Sequence, residues 1–221
     1  MKTKNAILGI VTILAICLMT YSCKKEKKDD NTNDQNQART TTAARDNSTA
    51  ESVFGGIFKQ ADDAARNGSK KDSSSCPSIT VNPIYSYPMT ITIDFGTGCL
   101  GDDGKIRSGK IISVLTAPYI DSACVLTVML DNYHEIINST DYSVQGTETI
   151  TNIGKNSDGH RVFDVLITNG VITSVNGTIY WTSHRQNEWI QGGDTWFNIF
   201  DDIYLVTGYA SGSNSNGETF T

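Results

Sequence analysis

From Cys76 onward, hydrophobicity alternates with a period of two, and that alternation limits the chain to an architecture of half-buried strands. The clearest run is "MTITIDF", where Met89, Ile91, Ile93 and Phe95 share one face and Thr90, Thr92 and Asp94 the other. Similar runs are "SITVN", "KIISVLT", "VLTVMLDNY", "YSVQGTETITN", "RVFDVLIT", "VITSV", "TIYWTS" and "DIYLVTGYA". Between them stand Asp103-Gly104, Asp158-Gly159, Asn169-Gly170, Asn176-Gly177 and Asn216-Gly217. These pairs accept the positive φ angles of tight hairpin turns. The pattern predicts a mainly β fold over residues 76–221, an antiparallel meander forming a curved sheet or an incomplete barrel or sandwich. "VLTVMLDNY" is apolar at both parities, which predicts a strand covered on both faces.

One segment follows a period of 3.6 instead. Ser48 and Glu51 form an S-x-x-E capping box, and Val53, Phe54, Ile57, Phe58 and Ala61 recur at helical spacing until Asn67-Gly68. The predicted amphipathic helix spans residues 51–68, and its apolar stripe needs the sheet as partner. Residues 24–50 include no apolar side chain larger than alanine, so 23–50 reads as a disordered tether. "GSKKDSSS", residues 68–75, reads as a second, shorter linker.

The tether follows a leader. Lys2 and Lys4 precede the apolar run 6–19, and small Ser22 precedes Cys23, the pattern of a secretory signal peptide over residues 1–22. As a helix that run rises about 21 Å, short of the roughly 30 Å of a bilayer's hydrocarbon core; an uncleaved anchor is the alternative. The "TYSC" junction resembles the lipobox of bacterial lipoproteins, which makes Cys23 the lipid-attachment residue. At about 0.8 kcal/mol per buried methylene, two or more acyl chains hold a protein far better than one. The charged residues after Cys23 resemble the surface-export signals of Bacteroidetes lipoproteins. The expected location is the outer membrane, on its periplasmic or cell-surface face.

Chemistry is sparser. The formal net charge is −6 at pH 7 and no basic stripe is present, which argues against a nucleic-acid partner. If "PIYSYP" closes the first hairpin, Cys76 falls opposite residues near Phe95, which puts Cys99 within reach for a disulfide and leaves Cys124 as a small buried thiol. "GKIRSGKI" has the spacing of a phosphate loop, but Ile111 stands where a magnesium-binding hydroxyl is required and a strand begins where a helix is required. "HEIIN", from His134, lacks the second histidine of a zinc motif, and His160 and His184 lie far from it in sequence. Asp102-Asp103 reads as a turn and Asp201-Asp202 as the start of a strand. No catalytic residue, metal site or cofactor is therefore assigned. "RQNEWIQGGDTWFNIFDD" breaks the strand rhythm with a longer loop, and its Trp189, Trp196, Phe197 and Phe200 either stack on sugars or apolar partners or plug an open end of the core.

Together, "YPMTITIDFGTGCLGDDGKIRSGKI", "GTETITN", "TIYWTSHRQNEWI" and "DDIYLVTGYASGSNSNG" resemble a family of uncharacterised Bacteroidetes outer-membrane lipoproteins, from about Ala50 to the end. The resemblance implies an all-β domain and carries no activity, ligand or catalytic residue with it. It also implies further strands beyond "NGETFT", so the chain reads as C-terminally truncated. Asp121-Ser122-Ala123 resembles the O-glycosylation sequon of Bacteroidetes. The expected function is a lipid-anchored, non-enzymatic binding or structural β-domain. Its expected partners are the membrane, through lipidated Cys23, and glycans or envelope proteins. The alternative is an extracytoplasmic hydrolase with a carboxylate-based site.

Overall fold

The computed structural model describes residues 31–67, 76–101 and 103–221. The leader, Cys23, the charged run after it, the linker 68–75 and Asp102 lie outside them. Helix α1 (Asn31–Asn67) comes first, followed by β1 (Ser78–Asn82), β2 (Met89–Asp94), β3 (Cys99–Leu100), β4 (Ile106–Leu115) and β5 (Val125–Ile137). Then come β6 (Thr140–Lys155), β7 (Arg161–Ser174), β8 (Gly177–Gln191), β9 (Ile203–Asn214) and β10 (Thr219–Phe220). All ten strands form one open antiparallel sheet in chain order, the expected meander. The exception is β3, which lies end to end with β2 on the same side of β4. Compact contacts divide the chain after Ala38, and the sheet and residues 39–67 of α1 belong to the second unit, Arg39 to Thr221. Among the described residues no helix is long and apolar enough to cross a membrane.

Helix α1 touches strands from β4 to β9. A Cβ at Gly56 would lie 3.7 Å from Arg107 of β4 and from Glu135 of β5, whereas Phe58 meets Tyr204 of β9 edge-on at 5.7 Å. Laid flat, those six strands would span about 24 Å, roughly twice a helix's 10–12 Å diameter. The sheet therefore curls around the helix. Bulges supply the bend: the register shifts at Ser108/Lys110 in β4, Gln145/Thr147 and Asn152/Gly154 in β6, and Ile167/Gly170 in β7. The last of these corrects the sequence reading, since Asn169-Gly170 is a bulge inside one continuous β7 and not a turn between two strands. Bulges and tight turns ask for the same positive φ, here 52° at Asn169, so the dipeptide does not distinguish them. Conversely, the β5–β6 turn is made by Asn138 and Ser139, both at positive φ without a glycine.

The helix starts at Asn31, so residues 31–50 are helical where a disordered tether was expected, and the helix ends at Asn67. The reason is that hydrogen bonds extend the packing face where apolar side chains run out. Ala43 and Ala50 are buried, Trp181 Nε1 donates to Asn47 Oδ1 at 3.0 Å, and Asn214 Nδ2 donates to Asp46 at 2.7 Å. Beyond Ala50 the stripe is the expected one, with Val53, Phe54, Ile57, Phe58 and Ala61 all buried. Each large side chain among them contributes about 1.5–3 kcal/mol. Phe54 stacks on Trp181 at 5.4 Å and leans on β7, where a Cβ at Gly170 would sit 3.2 Å from its ring.

Strand β5 is covered on one face only. Leu126 and Val128 are buried, but Met129 is 40% exposed, so the apolar residues at the other parity of "VLTVMLDNY" do not have a second layer. Cys76 and Cys99 are joined in a disulfide with a Cα–Cα distance of 5.8 Å. Cys124 is a buried free thiol directed at the Ala117 carbonyl, 3.1 Å away, and burial raises its pKa.

Candidate functional site

Two clusters of buried polar side chains lie on the concave face, and they differ in one respect. In the first, Arg107 donates through Nε to Glu135 at 3.1 Å and through both terminal nitrogens to Asp103 at 2.9 and 2.5 Å. Lys105 and the Tyr133 hydroxyl complete Glu135 at 2.5 and 3.1 Å. Every carboxylate there has a cation, which identifies a structural network whose charges are compensated where they are buried.

The second cluster lines a cavity of about 440 Å³ between the helix and strands β6 to β9. On the helix, Glu51, Phe54, Gly55, Phe58, Asp62 and Arg66 recur every three or four residues and so share one face. Gly55 leaves room, since a Cβ there would meet nothing within 4 Å. The floor is Glu148 of β6, Val165 and Ile167 of β7, and Trp181, Ser183 and Asn187 of β8. Glu148, Ile167 and Ser183 stand in register across three adjacent strands, so the carboxyl and the hydroxyl flank an isoleucine on one row.

Here the polar groups are not satisfied. Glu148 Oε2, Ser183 Oγ, Asn187 Oδ1, the Tyr204 hydroxyl and Arg66 Nε are all buried without a hydrogen-bond partner among the described residues. Leaving such an atom unpaired costs on the order of 1–3 kcal/mol, and several on one wall are unusual in a finished core. Glu148 is 2% exposed, and burial alone pushes its pKa up to about 8, so its carboxyl is mostly neutral at pH 7.

The ends of the cavity are built differently. At one end Arg66 pairs with Asp62 and, at 2.5 Å, with Asp202, and donates to the Trp196 carbonyl at 3.1 Å. Its guanidinium lies 4.8 Å from the Trp189 ring and 5.8 Å from the Trp196 ring, a cation in contact with two aromatic rings that also touch each other at 6.0 Å. Asp62 also accepts from the Tyr119 hydroxyl at 2.9 Å, and burial, opposed by Arg66, raises its pKa to about 6. Near the other end Arg185 pairs with Glu51, and Lys59 stands exposed at the rim.

Of the four aromatics picked from the sequence, Trp189 and Trp196 therefore clamp Arg66, while Phe197 and Phe200 stay 68% and 77% exposed on the following loop. Trp189 belongs to β8 and not to that loop. Asp201 and Asp202 hold the loop, through Thr195 Oγ1 at 2.7 Å and Trp189 Nε1 at 3.0 Å respectively. His134, His160 and His184 each face one carboxylate, of Asp141, Glu188 and Asp164, and among the described residues no group of three or more metal-ligating side chains forms. "GKIRSGKI" runs into β4, and its second glycine is a bulge at φ 77°.

Sequence reasoning passed over Glu148, Ser183 and Asn187. The available signal was parity: each occupies the core-facing register of a strand whose neighbours two residues away include Ile150, Trp181 or Trp189. A polar residue at a core parity is a site candidate before any motif is found. No protein-family model, curated protein or solved structure matches this chain.

Proposed function

We propose that this is a lipid-anchored envelope protein whose β domain holds a small amphipathic molecule in the cavity under α1, without catalysing a reaction on it. The observation that carries the binding reading is the set of unpartnered polar atoms of Glu148, Ser183, Asn187, Tyr204 and Arg66 around a cavity whose apolar lining includes Phe54, Phe58, Val165, Ile167 and Trp181. A cavity of about 440 Å³ falls within the range of ligand pockets, roughly 300–1,000 Å³, and such pockets pair apolar lining with a few placed polar groups. The membrane partner and the outer-membrane location rest on the leader and on Cys23. Glycans or envelope proteins would have to use the exposed Phe197 and Phe200, because Trp189 and Trp196 already spend their faces on Arg66. A carboxylate-based hydrolase has less support, since Asp62 and Asp202 are both engaged by Arg66 and Glu51 by Arg185.

The test is titration of the full-length protein with the neutral, environment-sensitive dye Prodan. Saturable one-to-one binding with a blue shift is expected, and Gly55→Phe, which projects a ring into the open space, should weaken it at least tenfold. Absence of saturable binding, or equal binding by a folded Gly55→Phe variant, refutes the cavity as a site. The anchor is tested by metabolic labelling with a radioactive fatty acid, which wild type should incorporate and Cys23→Ala should not.

A further inference from the structure

We infer that the ligand of this cavity carries a basic amine, and that its ammonium group seats on Glu148 and Ser183 while an apolar body lies against Phe54, Phe58 and Trp181. The inference rests on the cavity being a binding site and goes on to name the ligand's chemistry. Its first support is the balance of charge on the walls. Arg66 is matched by Asp62 and Asp202, and Arg185 by Glu51; Lys59 is exposed at the rim. Glu148 alone has neither a cation nor a hydrogen-bond partner for Oε2. The molecule compensates its other buried carboxylates, as Glu135 shows with both Arg107 and Lys105. A bound cation is what Glu148 lacks.

The second support is the direction of the missing hydrogen bonds. Glu148 once ionised and the Asn187 amide oxygen only accept, and a serine hydroxyl can accept, so this trio calls for a ligand that donates; Arg66 Nε, the obligate donor among the cavity's unpartnered atoms, lies at the Asp62–Asp202 end. Glu148 and Ser183 share one row two strands apart, about 10 Å between backbones, a gap that one ammonium bridges with a glutamate reaching from one side. The stacked Phe54 and Trp181 rings offer faces that attract a cation further. A carboxylate ligand fits worse, because both arginines lining the cavity are already paired with carboxylates.

The geometry has a pH signature. Seating an ammonium favours ionised Glu148, so binding releases the proton that burial holds there up to about pH 8. The charged groups facing it are Glu51, Asp62 and Arg66 of the helix, Lys59 at the rim, Arg185 of β8 and Asp202 before β9. Asp62, whose pKa is raised to about 6, also lines the cavity, so a Glu148 variant is needed to separate the two.

The experiment is calorimetric titration of the full-length protein with 4-phenylbutylamine, 4-phenylbutanol and 4-phenylbutanoate, which share one body and differ in head group. The amine should bind at least tenfold more tightly than the alcohol or the acid at pH 8. Its affinity should fall up to about tenfold per pH unit between pH 8 and 6, the limit for release of one proton. In Glu148→Gln the preference for the amine over the alcohol and its pH dependence should vanish, and Ser183→Ala should weaken the amine. Equal binding of all three probes, or a preference for the acid, overturns the inference and leaves the cavity reading standing. Failure of all three probes together with Prodan overturns both, and an unchanged amine preference in folded Glu148→Gln overturns the assignment to that residue.

Discussion

Glu148 makes a stability prediction independent of any ligand. Its carboxyl has an ordinary pKa of 4.5 and is raised to about 8 in the fold because burial penalises the charge. A group whose pKa rises on folding gives its full stability below the unfolded value and loses it as pH climbs toward the folded value. At 1.36 kcal/mol per unit, raising the pH from 5 to 8 should cost wild type about 3–4 kcal/mol through this side chain alone. Glu148→Gln has nearly the same shape and cannot ionise, so it should not lose that increment. The assay is urea unfolding followed by tryptophan fluorescence at half-unit pH steps, with the two proteins compared at each pH so that contributions such as Asp62 cancel. The variant's advantage should grow steadily from pH 5 to 8. Parallel pH profiles would show that Glu148 is hydrated or paired in solution, and the reasoning from an unpartnered buried carboxyl would fail.

Other perturbations probe the scaffold. Replacing both Cys76 and Cys99 by serine should destabilise the fold by about 3 kcal/mol, from the closure entropy of a loop with sequence separation 23, measured as a lower urea midpoint with a slope that rises as the unfolded chain expands. Arg66→Met should cost about 3–5 kcal/mol by leaving Asp62 and Asp202 buried without their cation; loss of the near-ultraviolet circular dichroism of Trp189 and Trp196 should accompany it. Gly109→Ala puts a Cβ 2.0 Å from the Asn132 carbonyl oxygen at a φ of 77°, so a loss above about 3 kcal/mol by chemical denaturation is expected.

The meander was legible because alternation and positive-φ dipeptides are local, and each strand pairs with its sequence neighbour. What escaped was whatever depends on distant partners. Asn169-Gly170 announces a positive φ but not whether the chain reverses there; β6 and α1 decide that, as a Cβ on Gly146 would lie 3.0 Å from the Gly170 Cα. The first turns of α1 facing the sheet have almost no apolar residues, so a pattern based on hydrophobicity stops at Ser48, while Asp46 and Asn47 are fixed by β9 and β8. The aromatic loop was conspicuous in sequence, yet its tryptophans serve Arg66, a residue that reads as an ordinary helix C-terminal cation.

Curvature links the scaffold to the cavity. A sheet bent by bulges across β4 to β7 presents a concave face that a single helix cannot fill from side to side, and the chain resolves the mismatch differently on its two flanks. Toward β4 and β5 the space is taken by long charged side chains from the sheet, which reach up beside Gly56 and satisfy one another. Toward β8 a short serine and an amide replace them beneath Gly55, and the space stays open. Each helix glycine costs about 1 kcal/mol relative to alanine, and an exposed position such as Gly55 has no packing reason to bear it. Room for a bound molecule is a reason, and five of the buried polar atoms without partners line that same space.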